Sequence, residues 1–252
     1  MFVKYRYLIR ELIFRNIKTR YKRSVLGVAW TMINPLITTL ILYIVFSQVF
    51  KTSIPKFAIY LLSGLLLWNF FAQSSVAAMR ELIWSGTLLQ RVPIPKAVFA
   101  LAAVGTGLVN LFLAFLPLSL VIILSGGRFS LALFFLPISL LIVSLFTLGI
   151  GLGLSALAVF FTDIVDMYNI LLLAWMYLTP IFYPIEILAP KFHWLIYSNP
   201  MYYILETFRM PIYLGILPPL DILGKAILAS FLSLLVGGWF FEKKSDEFTY
   251  YI

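Results

Sequence analysis

Tyr5–Pro35, YRYLIRELIFRNIKTRYKRSVLGVAWTMINP, decides how the rest of the chain is read. It changes character at Val25. Before that point Tyr5, Leu8, Ile9, Leu12, Ile13, Ile17 and Tyr21 recur at helical spacing and share one face. Lys4, Arg6, Arg10, Arg15, Lys18, Arg20, Lys22 and Arg23 fill the remainder, with Glu11 as the only acid. After Val25 no charge interrupts the chain as far as Phe50. A basic amphipathic helix that runs straight into an apolar segment predicts a helix lying on a membrane surface, followed by a span. Positive residues alone would orient a membrane protein, but they do not explain the apolar face.

Composition agrees. The 252 residues are 62% hydrophobic and 12% charged, with a mean hydropathy of +1.01, which excludes an ordinary soluble domain and predicts an all-α integral membrane protein. Eight of the nineteen basic residues lie in the first 23 positions, so the net charge of +9 points to anionic membrane lipid or an acidic partner and not to nucleic acid. There is no cysteine, hence no disulfide or thiolate chemistry, and the single His193 builds no metal site. The opening apolar run is too long for a cleavable signal peptide and lacks a small-residue cleavage site.

Six spans are expected, at 26–50, 57–79, 97–125, 131–161, 164–184 and 222–241, each near or above the ~20 residues that cross a hydrocarbon core. The third and fourth must tilt, kink at Pro117 and Pro137, or project beyond the bilayer. An inner N-terminus places thirteen Lys and Arg on the cytoplasmic side against six outside (Lys51, Lys56, Arg128, Lys191, Arg209 and Lys225), so both termini are expected inside. The first inner loop, Arg80 to Lys96, is the largest cytoplasmic piece, and Pro93 and Pro95 end any helix in it. Residues 185–219 are too apolar for a free loop and too broken to cross, which predicts short helices dipping into the outer leaflet, and 242–252 forms a cytoplasmic tail.

Acids come next, because charge in mid-membrane is costly and usually functional. All ten fall at expected span ends or in connections. Asp163 and Asp166 open the fifth span, where one caps free N–H groups and both complement the helix dipole, or where they meet a cytoplasmic partner. This pattern argues against a proton-coupled transporter, and no paired carboxylates stand where a glycan hydrolase or transferase would need them. No G-x-x-x-x-G-K-[ST] is present to cradle a nucleotide phosphate. Aromatics are plentiful. Trp68, Trp194 and Trp239 fit interfacial belts, whereas Tyr43, Phe46, Phe70, Phe71, Tyr168, Trp175, Tyr177, Phe182 and Tyr183 fall within spans. Their faces suit sugar rings sliding along a path, although packing or lipid contact is the ordinary explanation for any single one. Gly149, Gly151, Gly153 and Ser155 form a small-residue face of the kind that packs helices closely.

Three stretches, RYKRSVLGVAWTMINPL (20–36), FFTDIVDMYNILLLAWMYLTPIFYP (160–184) and NPMYYILETFR (199–209), stand in an order and at spans that resemble the permease subunit of type-2 ABC polysaccharide exporters. These move O-antigen, teichoic acid and related lipid-linked polymers out of the bacterial cytosol. The resemblance covers essentially the whole chain. It implies a homodimer in the cytoplasmic (inner) membrane, working with two copies of a separate ATPase that binds the ATP and Mg; the chain itself holds no cofactor. It also implies an interface helix at 1–24, a coupling helix within Arg80–Lys96 and re-entrant helices before the sixth span. On that reading Leu8, Leu12, Arg15, Arg80, Glu81, Trp84, Leu88, Leu89 and Arg91 take up the motion of the ATPase. Tyr43, Phe70, Phe71, Tyr168, Trp175, Tyr177, Phe182 and Tyr183 guide the glycan. Relatives often carry an arginine before the aspartate of the turn between the fourth and fifth spans; here that position is Thr162, so an ionic role there is not carried over. A permease for a small lipophilic compound would want a narrower, less aromatic path. A membrane enzyme of glycan assembly would want a charged cluster, for which only Asp163 and Asp166 come near. A scaffold for other membrane proteins would not account for the aromatic density.

Overall fold

The computed structural model describes residues 2–22, 24–46, 56–86, 89, 94–127 and 129–251, without the side chains of 2–4, 21, 249 and 250. The described residues form helices and turns and no strand. Helix α1 is Phe2–Tyr21, α2 Trp30–Phe46, α3 Phe57–Trp84, α4 Ala97–Leu124, α5 Leu136–Phe160, α6 Ile164–Tyr177, α7 His193–Tyr197, α8 Pro200–Tyr213 and α9 Leu220–Ser245. With their 3₁₀ extensions, five segments are long and apolar enough to cross a membrane: Gly27–Phe46, Phe57–Trp84, Ala97–Leu124, Leu131–Phe160 and Leu220–Phe248.

Helix α3 is the central post. Most of its length is buried, enclosed by α2, α4, α5, α6 and α8. Its neighbours keep outward faces of Leu, Ile and Phe, as helices bathed in hydrocarbon do (Leu40 and Ile44 on α2, Leu116 and Ile123 on α4, Leu228 and Phe231 on α9). The closest packing joins α5 to α9. A Cβ at Gly149 would run into the backbone of Ser233 and Leu234, and one at Gly237 into the carbonyl of Gly149. Only hydrogen at both positions lets the two backbones touch, which is the close approach that the small-residue face predicts. Gly151 points the other way, and its Cβ would sit 3.1 Å from that of Ala78 on α3.

Four expectations need correction. The second span does not stop at residue 79, because α3 continues to Trp84 and makes Arg80, Glu81 and Trp84 its last turn. The expected fifth span is helical only over Ile164–Tyr177, 14 residues. At 1.5 Å per residue that is about 21 Å, short of the ~30 Å hydrocarbon core, and the chain then turns through Thr179–Tyr183. The last span does not end at residue 241: α9 runs on to Ser245, and Phe248 in the turn that follows is fully buried against Phe160 and Phe241. Trp68 belongs to no interfacial belt; at 4% exposure it packs inside the bundle against Phe71 and Trp175. The expected short helices of 185–219 are present as two 3₁₀ turns followed by α7 and α8. Asn199 starts α8 by accepting a hydrogen bond from the Met201 N–H at 3.0 Å, with Pro200 preset for the first helical position.

Helix α1 lays its apolar face on the bundle. Leu12 is buried, and Tyr5, Leu8, Ile9 and Ile13 pack beside it against a cluster that includes Leu82, Phe99, Ala156, Phe241 and Phe248. Removing one leucine side chain from contact with water is worth about 1.5–3 kcal/mol, so the apolar stripe by itself accounts for this docking. The chain ends that the sequence assigns to one side of the membrane, namely α1, the end of α3, the start of α4 and the end of α9, thus meet in one cluster. The Lys96 ammonium ties two of them by donating to the Ser245 carbonyl. Burial there pushes its pKa below the ordinary lysine value, with Asp246 opposing.

Candidate functional site

A polar cleft of about 330 Å³ opens between α1, α2, α3 and α4. Asn34 and Thr31 come from α2, Asn69, Gln73, Ser74 and Glu81 from α3, and Thr106 and Asn110 from α4. Leu66, Phe70, Leu111 and Ala114 supply apolar wall. Asn69, Gln73 and Asn110 lie near the middle of 28-residue apolar helices, where amides are uncommon.

Helix α1 forms the remaining wall through polar contacts. Arg20 donates from Nη2 to Gln73 Oε1 at 3.0 Å. Asn16 donates from Nδ2 to Glu81 Oε1 at 2.5 Å and, more distantly, to Thr106 Oγ1 at 3.4 Å. Two buried oxygens of the cleft lining lack a hydrogen-bond partner among the described residues, Ser74 Oγ and Glu81 Oε2. An unpartnered buried polar atom costs ~1–3 kcal/mol, so this end of the bundle holds unused hydrogen-bonding capacity facing a cavity. Among the described residues no three His, Asp or Glu side chains converge as a metal site.

The opposite end carries a buried ion pair. Arg209 on α8 is 1% exposed and pairs with Glu206 at 3.1 Å. Its Nη1 donates to the Pro180 carbonyl at 2.8 Å and its Nη2 to the Ile181 carbonyl at 3.1 Å. The guanidinium lies 3.9 Å from the Tyr60 ring centre, and the Tyr60 hydroxyl donates to the carbonyls of Pro180 and Tyr183 at 3.1 and 2.9 Å. Gly64 makes room: a Cβ there would stand 2.5 Å from Nη2. This network replaces the backbone hydrogen bonds lost where α6 ends, and it pins α8, α3 and the α6 turn together.

The residues expected to couple to an ATPase are divided. Arg15, Arg80 and Trp84 are exposed, Leu8 is half-buried, and Glu81 is in the cleft wall. Leu12 and Leu89 are buried at 4% and 9%, so neither offers a surface to a partner; any effect of theirs passes through the packing of α1. Leu88 and Arg91 lie outside the described residues.

The eight aromatics do not form one path within the chain. Phe71 and Trp175 sit in an aromatic core with Trp68 and Phe146, and Trp175 donates to Asn199 Oδ1 at 2.8 Å. Tyr168 is buried with its hydroxyl 2.9 Å from Ser75 Oγ. Tyr177, Phe182 and Tyr183 cluster at the end of α6, and Tyr43 stacks loosely on Phe57. Phe70 alone of the eight lines the cleft, while Tyr43 and Tyr177 are the two with exposed rings. Asp163, at the start of α6, and Asp166, in its first turn, are both exposed; Asp163 makes no side-chain cap, so its effect is confined to the helix dipole.

Sequence reasoning missed the cleft amides and Arg209. A search for charge inside spans passed over Asn34, Asn69, Gln73 and Asn110, whose polarity in apolar helices was the available signal. Glu206 and Arg209, three apart in an apolar helix, could have been read as a buried pair.

Helices of this length, a docked amphipathic N-terminal helix and a short helical segment before the last span define a multi-pass membrane domain. Residues 7–213 match the ABC-2 type transporter membrane family, and the chain belongs to it. More particularly, the chain is 30% identical over 248 residues to the O-antigen export system permease protein RfbA of Myxococcus xanthus, covering 97% of this chain and 95% of that one. It is 29% identical over 236 residues to a protein of the same name from Klebsiella pneumoniae, covering 93% and 90%. A second Klebsiella pneumoniae RfbA matches at 29% over 197 residues.

Proposed function

We propose that this chain is the permease subunit of an ATP-driven exporter that moves lipid-linked polysaccharide, O-antigen foremost, across the bacterial cytoplasmic membrane. The observation that carries this is similarity to two O-antigen export permeases over at least 90% of both chains. Two copies form the channel, and two copies of a separate ATPase bind ATP and Mg. Both termini face the cytosol. The fifth of six crossings is α6 together with its turn, held by Arg209, and α7 and α8 re-enter the outer leaflet before the sixth, α9. The ATPase docks on the exposed Arg15, Arg80 and Trp84 and moves α1 as a unit, since the buried Leu12 ties that helix to the bundle.

Co-purification with the ATPase encoded beside it, followed by ATP turnover in lipid, tests this. A complex of two permeases and two ATPases whose turnover changes on adding a polyprenyl-pyrophosphate-linked oligosaccharide is expected. A chain that is stable alone and forms no such complex contradicts the reading.

A further inference from the structure

The cleft between α1, α2, α3 and α4 is walled by amide and hydroxyl groups, and at Asn34, Asn69 and Ser74 the helix packing does not use them. Amides inside spans ordinarily hydrogen-bond across helices, which is what retains them there. Here no hydrogen bond joins Asn34 or Asn69 to another described side chain, and Ser74 Oγ, on a residue 2% exposed, is unpartnered at the wall. At about 330 Å³ the space falls within the range of small-molecule pockets and well above that of a single water.

The lining also restricts the ligand. Amides donate and accept side by side, matching the paired donor and acceptor of neighbouring hydroxyls. Leu66, Phe70 and Leu111 offer an apolar floor for C–H groups. A phosphate would meet the acidic side chain of Glu81 in the same wall, which disfavours it. A purely apolar compound would leave the amides unsatisfied.

We propose that this cleft is a saccharide-binding subsite within each subunit, taking a neutral sugar unit of the substrate. The proposal rests on the exporter reading and adds to it a place for the sugar within the subunit. Because Arg20 lines the cleft from α1 and Asn16 of the same helix holds Glu81 in its wall, a bound sugar touches the helix that meets the ATPase.

The chain contains no cysteine, so Asn34→Cys, at an exposed position of the lining, is a single reporter in the full-length protein in lipid. Its alkylation by a water-soluble maleimide is followed with a polyprenyl-pyrophosphate-linked oligosaccharide, with sugar-free polyprenyl phosphate, and with neither. Trp194→Cys, at the other end, serves as control. Slowing of Asn34→Cys by about tenfold at ten times the dissociation constant is expected with the glycan alone, and its loss in an Asn69→Ala/Gln73→Ala background. Equal protection by the sugar-free lipid, protection that persists in that background, or no protection overturns the proposal. ATP turnover with the partner ATPase is read in parallel: stimulation by the glycan without protection rejects the subsite and leaves the exporter, and absence of both rejects both.

Discussion

The two ends of the bundle treat polar groups in opposite ways. At the α8 end a buried guanidinium is held by a carboxylate, two backbone carbonyls and a tyrosine face, and only its Nε lacks a hydrogen bond. At the α1 end a few long polar side chains cross from a surface helix to a cleft whose walls keep unpartnered oxygens. One end has a single well-determined arrangement. The other has hydrogen bonds that can be exchanged for a ligand's at small cost. On the proposed reading, with a partner ATPase acting at α1, this asymmetry supplies a fixed frame for the broken helix and a docked interface helix whose polar contacts can be exchanged.

The largest effect tests the fixed end. Arg209→Met leaves Glu206 and two carbonyls buried without their donor, and should cost about 3–5 kcal/mol. Thermal unfolding in detergent, followed by tryptophan fluorescence, measures it. Next, Gly64→Ala forces a methyl against Nη2 and should cost ~1–3 kcal/mol, but much less in an Arg209→Met background, so a double-mutant cycle shows whether the clash is with this network. At the other end Asn16→Ala should lower stability by only ~0.6 kcal/mol, and at most ~1.7, while weakening the response of ATP turnover to glycan. A stability loss as large as that of Arg209→Met would erase the contrast between the two ends. Smallest of all, Asp163→Asn removes an exposed charge that caps nothing, and should change stability by less than ~0.5 kcal/mol and leave turnover unchanged.

Much of the fold was legible because hydropathy and helical period act locally. The apolar stripe of α1, four of the long spans and the glycine face of α5 each follow from spacing alone. The end of α6 was not legible: residues 178–184 are as apolar as a span, and what stops the helix is the Pro180 turn bound by Arg209 from 29 residues away. Nor could spacing show that Leu12 and Leu89 face the chain's own core, since a stripe looks the same against lipid, partner or bundle. The cleft was hidden for a different reason. Its amides carry no charge, so they barely alter a hydropathy window, yet three helices bring them to one place.

The most direct test of the account is transport itself. Permease and ATPase are reconstituted in sealed vesicles with a lectin-detectable lipid-linked oligosaccharide in the leaflet that the ATPase faces. On adding ATP, the account predicts that the glycan becomes inaccessible to external lectin, and that Asn16→Ala slows this more than it slows ATP turnover. Glycan that stays accessible while ATP is hydrolysed would contradict it.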